Sequence, residues 1–367
     1  RGNKLKIGII THHYVKNYGA FLQAYALQQT LISLYPNAQV EVINYINLKH
    51  YFASLRPLII TKPQSSDFIN ANKMFFDTKK QLIQFIKAKK NLNLSSWCRN
   101  VKDINKKNYD YIIIGSDEVW NINSVSFDQI KFGVDLICPN IISYAPSVGS
   151  FKHSQELPTS VLNGLRKFKN ISVRDNQTLD MVERFYDGNI QMVLDPTFLY
   201  DFHSETRSVE TQNYSPYILV YQCILDMEQI LLLKKYADEN GLIIIGAGCH
   251  QDWFDKSLLN ISPFQWICLF NNAQYIITGT FHGTIFSIKA KKKFIVYPTL
   301  PNRIEKVQSL LNLFGLEIQL VPKENKNDLC NFLVNEIDYH NVYQRVNELK
   351  QRSITFLKES LVSIEGQ

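Results

Sequence analysis

Short apolar runs of strand length recur along this chain, most followed by a segment whose apolar residues fall at helical spacing. Lys4–Ile10 reads KLKIGII, Tyr109–Ile114 reads YDYIII and Leu242–Gly246 reads LIIIG. A strand covered by helices on both faces has no solvent side, so it reads as a continuous apolar run rather than an alternating one. Between the first two strands, Ala20–Leu34 carries Phe21, Leu22, Tyr25, Leu27, Leu31 and Leu34 at helical spacing and stops at Pro36. With a second strand over Val40–Tyr45, this is a βαβ unit, which demands a parallel pair.

The alternation continues through Ile141–Ala145, Ser160–Lys169, Ile171–Val173, Asn176–Phe185 and Met192–Leu194. After a polar stretch, Asp201–Ser215, it restarts with Tyr217–Gln222, Met227–Asn240, a helix opened by Ser262-Pro263, Tyr275–Thr278, Phe294–Tyr297 and Glu305–Phe314. A chain of 367 residues exceeds what one ordinary core supports. The expected fold class is therefore α/β, with two Rossmann-like domains facing a cleft in a GT-B-like arrangement. The expected boundaries are 1–204 for the first domain, on the acceptor side, and 205–367 for the second, on the donor side. A Lys-, Asn- and Gln-rich insert at 49–105, helical over Asn70–Lys90, is assigned to the first. A terminal helix over about 341–361 is expected to return to that domain.

Composition serves mainly to exclude. No run of about 18–20 apolar residues exists, so no transmembrane helix is expected. The six cysteines form no C-x-x-C pair, which points to reduced thiols in a cytoplasmic protein and to neither a metal site nor a disulfide framework. Lys and Arg exceed Asp and Glu by 40 to 33, a net +7. That excess suits an anionic small substrate, a membrane surface or nucleic acid without choosing among them, although dispersed basic residues and the lack of a recognition helix disfavour nucleic acid. The opening Arg1-Gly2-Asn3 is read as a trimmed or appended end.

In open α/β sheets ligands sit beyond the carboxyl ends of the strands, so the candidates are sought there. His282 follows the strand Tyr275–Thr278 in Thr278-Gly279-Thr280-Phe281-His282-Gly283-Thr284, where it suits a general acid or base and the turn's N–H groups suit an anion. A histidine that merely caps its own turn is the plain alternative. Arg174, after Ile171–Val173, presents a fork that clamps carboxylate or phosphate, or else pairs with Asp175. Arg303, in the loop Pro301-Asn302-Arg303, is a second cation for the same purpose or a surface arginine. Asn17-Tyr18-Gly19-Ala20 joins the first strand to its helix, where Gly19 permits close approach of a ligand. Gln23 lies one turn on. In Gly115-Ser116-Asp117-Glu118-Val119-Trp120-Asn121, Asp117 or Glu118 suits a proton from a sugar hydroxyl and Trp120 a sugar face. Ser116 or Asp117 capping a short helix over a core Trp120 fits equally. Asp195-Pro196-Thr197 closes the first half, with Asp195 a cap or a site residue. No G-x-G-x-x-G or P-loop pattern appears, which leaves nicotinamide or ATP unsupported.

Together, in this order and spacing, these motifs resemble the polysaccharide pyruvyl transferases almost end to end. The resemblance rests on Asn17–Ala20 with Gln23, on Gly115–Asn121, on Ser172-Val173-Arg174-Asp175, on Asp195–Thr197, and on Ser262-Pro263-Phe264 through Phe281-His282-Gly283. It implies a GT-B-like fold and transfer of a pyruvyl group from phosphoenolpyruvate (PEP) to sugar hydroxyls, giving a cyclic ketal on a capsule or exopolysaccharide or its lipid-linked precursor. It implies His282 as acid/base residue, Arg174 as the family's arginine, PEP as co-substrate with no cofactor or metal, a sugar or lipid-linked glycan as acceptor, and a cytoplasmic location with peripheral contact at the inner face of the membrane. Better-known members carry Arg where Thr280 stands here, so either Arg303, Lys306 or His250 replaces that clamp or the donor differs from PEP. Two alternatives are a GT-B glycosyltransferase using a nucleotide-sugar and a non-catalytic binder of glycan or an anionic metabolite.

Overall fold

In a computed structural model the described residues are 4–60, 68–152, 154–210, 212–297, 301–322 and 328–361. The opening tripeptide read as a trimmed end lies outside them, as do residues 61–67 of the insert. Two parallel sheets account for the apolar runs. The first has six strands in the order β2-β1-β3-β4-β5-β6: β1 Lys6–Ile10, β2 Gln39–Val42, β3 Tyr111–Ile114, β4 Asn140–Ser143, β5 Phe168–Val173 and β6 Ile190–Met192. The second has five in the order β11-β10-β7-β8-β9: β7 Tyr217–Tyr221, β8 Ile243–Ala247, β9 Lys256–Leu258, β10 Tyr275–Thr278 and β11 Lys293–Val296. Every pairing is parallel. The fold class is thus α/β with two Rossmann-like units.

Each sheet has its own core. In the first, Ile112, Ile141, Ile171 and Val173 pack with Trp120, Phe132 and Phe168. In the second, Ile218, Ile244, Ile277 and Ile295 pack with Leu233, Leu329 and Leu333. A fully buried side chain of this size stabilises by roughly 1.5–3 kcal/mol, so these layers dominate the stability of each unit.

Several helices begin at a side chain that satisfies their orphan N–H groups. Asn17 accepts from Ala20 N at 3.0 Å, and the first helix therefore spans Tyr18–Leu34, two residues earlier than its apolar pattern suggests. Ser262 with Gln265, and Asp226 with Gln229, form reciprocal capping boxes for Pro263–Asn272 and Met227–Glu239. Several elements escape the sequence pattern: the short edge strand β9, the helix Leu48–Ile60 and the short helices Val101–Asn105, His203–Arg207 and Leu329–Leu333, the second of these short helices inside the stretch read as a polar linker.

The chain divides into two compact units, one of residues 1–56, 89–201 and 347–367, the other of 57–88 and 202–346. The insert is therefore not wholly part of the first half. Its helix Phe68–Ala88 belongs with the second, where Gln81 Nε2 donates to the Gly248 carbonyl at 3.1 Å and Gln84 Nε2 to Asn260 Oδ1 at 3.0 Å. The terminal helix Tyr339–Leu361 contributes to both units: Tyr343 donates to the Lys289 carbonyl at 3.0 Å, and Leu194 N donates to Ser353 Oγ at 2.9 Å. No helix among the described residues is long and apolar enough to cross a membrane.

Candidate functional site

The first sheet changes direction of build between β1 and β3, since β2 lies on one side of β1 and β3 to β6 on the other. A crevice opens at such a switch, beyond the carboxyl ends of the two strands. Here β1 delivers Thr11, His12, His13 and Tyr14, and β3 delivers Gly115, Ser116 and Asp117. The turn after β3 needs its glycine. Gly115 has φ +122°, and a Cβ there would lie 2.2 Å from the Tyr144 carbonyl oxygen. Asp117 follows with φ +76°, a costly conformation for a residue with a side chain.

Arg174, at the end of β5, joins this turn from below. Its Nη1 donates to Asp195 Oδ2 at 2.6 Å and to Ser116 Oγ at 3.2 Å, and its Nη2 to Asp117 Oδ1 at 3.3 Å. The Arg174 and Asp195 side chains are 3% and 0% exposed, and Asp117 is 16% exposed. Burial works against the guanidinium's charge, but Asp195, Asp117 and Asp175 outweigh it and raise its pKa. Asp195 serves twice, because its Oδ1 also takes Thr197 N at 3.0 Å and Thr197 Oγ1 at 2.7 Å. Asp175, the expected local partner of Arg174, instead caps the next helix at Thr178 N, 2.8 Å.

A second buried group stands beside it. Lys131 is 1% exposed, with Nζ 2.8 Å from His12 Nε2 and 2.9 Å from the Ser126 carbonyl it donates to. The ammonium has no lone pair, so His12 Nε2 accepts and the imidazole proton sits on Nδ1, 4.0 Å from Asp117 Oδ2. The His50 ring lies 4.7 Å from that of His12, and Tyr14 Oη is 3.2 Å from His50 Nδ1. Burial first, then the Lys131 charge, pushes the His12 pKa well down and His50 to about 4. Burial and then Lys89 take His13 to about 4, and burial takes Lys131 down to about 8. All three imidazoles are accordingly neutral at pH 7.

Stability should follow from this. Between the ordinary histidine pKa of 6.5 and about 4, the unfolded chain binds a proton at His13 that the folded chain refuses. Native stability therefore falls as pH drops through that window, by up to about 3 kcal/mol for His13. Urea midpoints measured from pH 7 to pH 4 should decline, and His13→Asn should flatten the decline. An unchanged slope would rule out His13 as a contributor.

In the second unit the turn after β10 is built around Thr280. Its Oγ1 accepts from Gly283 N at 3.0 Å, capping the helix Phe281–Lys289, while Thr284 Oγ1 donates to the Thr280 carbonyl at 2.9 Å. Gly283 is required by contact, since a Cβ would lie 2.0 Å from Thr278 Oγ1. This turn too stands at a switch, for β10 and β7 lie side by side with β11 beyond one and β8 beyond the other. His282 lies in the first turn of that helix, half-buried, with the Phe281 ring 5.6 Å away. Arg303 is not in a loop but in the first turn of the helix Pro301–Asn312, where its charge is felt by Tyr221. Lys306, 6% exposed, is one turn on. His250 has both ring nitrogens engaged, by Ser257 Oγ at 2.7 Å and Asp252 Oδ1 at 3.0 Å, so it is poorly placed to replace a missing clamp.

Comparison with known proteins turns on one match. A family model described as polysaccharide pyruvyl transferase covers residues 17–300, more than three quarters of the chain. The chain belongs to the polysaccharide pyruvyl transferase family. No curated protein matches its sequence. Among solved structures, a UDP-N-acetylglucosamine 2-epimerase is similar with a TM-score of 0.56 at 12% identity, over 100% of this chain and 98% of that one. The UDP-GlcNAc 2-epimerase of Methanocaldococcus jannaschii gives 0.52 at 11%, over 97% and 100%. Arabidopsis thaliana UGT89C1 gives 0.50 at 12%, over 98% and 100%. At such identities these relations bear on fold alone, and the fold is of the GT-B kind.

The candidate residues named from the sequence fall into two sets. Ser116, Asp117 and Arg174 meet in the first unit, with Asp195. Thr280, Phe281, His282, Gly283 and Arg303 are in the second. Trp120 does not offer a sugar platform. It is 0% exposed, stacked on Phe132 at 5.7 Å, and its Nε1 donates to the Lys131 carbonyl at 2.7 Å. Gln23 is also wholly buried, donating to Thr11 Oγ1 at 2.8 Å and the Ala20 carbonyl at 2.9 Å. Asn17 is the cap described above, and Tyr18 and Gly19 are buried in the first helical turn. Sequence reasoning passed over His12, His13, His50 and Lys131. Two adjacent histidines directly after the first strand were a usable signal. Lys131 gave none, because it sits in a short 3-10 turn, Gln129–Phe132, remote from any strand end.

Proposed function

We propose that this protein transfers the pyruvyl group of PEP to two hydroxyls of a sugar, closing a cyclic ketal on a surface polysaccharide or its lipid-linked precursor. The observation that carries this reading is the family match, which spans both the Ser116–Arg174 set and the Thr280–Gly283 turn. The donor is a carboxylate and a phosphate on one small molecule, and the N-terminus of the helix Phe281–Lys289, together with Arg303 in the first turn of Pro301–Asn312, suits such an anion. His282 protonates the methylene carbon, and a sugar hydroxyl attacks the adjacent carbon and loses its proton. A second hydroxyl then displaces inorganic phosphate from the same carbon, so one PEP and one diol yield one ketal and one phosphate. Thr280, which stands where better-known members carry arginine, caps the helix and holds the backbone of the turn. Arg174, engaged by Asp195 and Asp117, acts here as the residue that orients Asp117, a candidate to receive a hydroxyl proton.

The test is incubation of the purified protein with PEP and candidate acceptors, following phosphate release and the ketal methyl signal. Phosphate release that depends on the acceptor supports the reading. No release from PEP, with consumption of a nucleotide-sugar instead, would replace it with glycosyl transfer, the second reading that the GT-B fold permits.

A further inference from the structure

We propose that the Lys131–His12–His50 cluster, at the β1/β3 switch of the first unit, is a binding site for a small oxyanion, a carboxylate or a phosphate. Lys131 is a buried ammonium with no carboxylate in ion-pair contact, although Asp128 and Asp117 act on it from farther off. Lys131 is 1% exposed, yet among the described residues no carboxylate lies within 4 Å of its Nζ. The two acidic groups nearest in effect are already engaged. Asp128 accepts from Tyr45 Oη at 2.6 Å and from Ile130 N at 3.1 Å, and Asp117 is held by Arg174. An ammonium taken out of water with only neutral acceptors is costly by several kcal/mol, and a core with no task for it would hold an apolar side chain.

Asp117, 4.0 Å from His12 Nδ1, offsets part of the charge, and further donors and a second cation stand close by. Lys89 Nζ lies 2.9 Å from the Tyr14 carbonyl in the same loop. The His12 and His50 rings stand 4.7 Å apart, with Tyr14 Oη against His50. Neutral imidazoles beside an ammonium are poised to take protons when an anion arrives, and Lys131 has a third N–H beyond the two in use. The place is also where a doubly wound sheet opens to ligands. None of these residues belongs to the motifs that define the pyruvyl reading, and the inference does not depend on it.

The probes are inorganic phosphate and acetate, titrated into the full-length protein with its histidines isotopically labelled. Bound oxyanion should shift the His12 and His50 ring signals and raise their pKa values. Shifts with phosphate alone mark a phosphate site, and shifts with acetate alone a carboxylate site. Lys131→Gln keeps a donor for the Ser126 carbonyl but removes the charge. It should weaken binding by about ten- to a hundredfold, the loss expected for one charge-assisted hydrogen bond, with an unchanged circular dichroism spectrum. Ring signals unmoved by both anions in the wild type overturn the proposal without any variant, as does equal affinity in folded Lys131→Gln. Absence of turnover with PEP would sink the pyruvyl reading and leave these shifts in place.

Discussion

Arg174→Ala should destabilise the first unit by about 3–5 kcal/mol, the range for removing one partner of a buried ion pair. The mechanism is specific. Asp195 has a side chain with no exposure and receives the 2.6 Å bond from Arg174, while Asp117 receives the other arm at 3.3 Å. With the guanidinium gone, two carboxylates close to one another lose their shared counter-charge, and Ser116 Oγ loses a donor. Urea unfolding followed by tryptophan fluorescence reads the loss when Trp253 and Trp266 of the second unit are replaced by Phe, which leaves Trp120 in the core of the first as the main reporter. Arg174→Met should be nearly as damaging, which separates loss of charge from loss of volume. Adding Asp195→Asn to Arg174→Met should recover part of the stability, because it neutralises the more deeply buried carboxylate. A drop below 1 kcal/mol in the single variants would mean that the ion triad is not what holds the turns after β3, β5 and β6 together.

His282→Ala should lower kcat for phosphate release from PEP by about 10²–10⁴-fold, the usual contribution of a general acid or base. KM for PEP should change far less, since the capping Thr280 and the backbone of the turn, which need no imidazole, remain. His282→Gln should be equally slow, because it restores hydrogen bonding but not proton transfer. A fall of less than tenfold in both variants would remove His282 from the chemistry. A protein that binds glycan without turnover would keep its affinity in both.

Much of the fold was legible before any coordinates. The runs KIGII, YIII and YIIT became β1, β3 and β10, since only a doubly covered parallel strand tolerates such continuous apolar character. Ser262-Pro263 marked a helix start through the chemistry of its cap. Some elements were missed, the apolar helix Leu48–Ile60 among them. β9, an edge strand of sequence KSL, is held by pairing with β8 and not by its own side chains.

The candidate site was legible in part, and the division has a physical cause. Strand ends are local features, so His282, Arg174 and Asp117 could be named from the chain alone. Whether a named residue faces a ligand depends on what covers it. Trp120 and Gln23 sit in motifs of the right kind, yet tertiary packing encloses both.

The amino-acid pattern by itself determined two parallel sheets, their strand ends and the family motifs, because periodicity and capping act over a few residues. Only the tertiary structure decided that Arg174 neutralises Asp195 and Asp117 rather than standing open, and that Lys131 meets His12 across 119 positions of sequence. Charges brought together by packing are priced by burial and distance, and neither is a property of the sequence until the chain has folded.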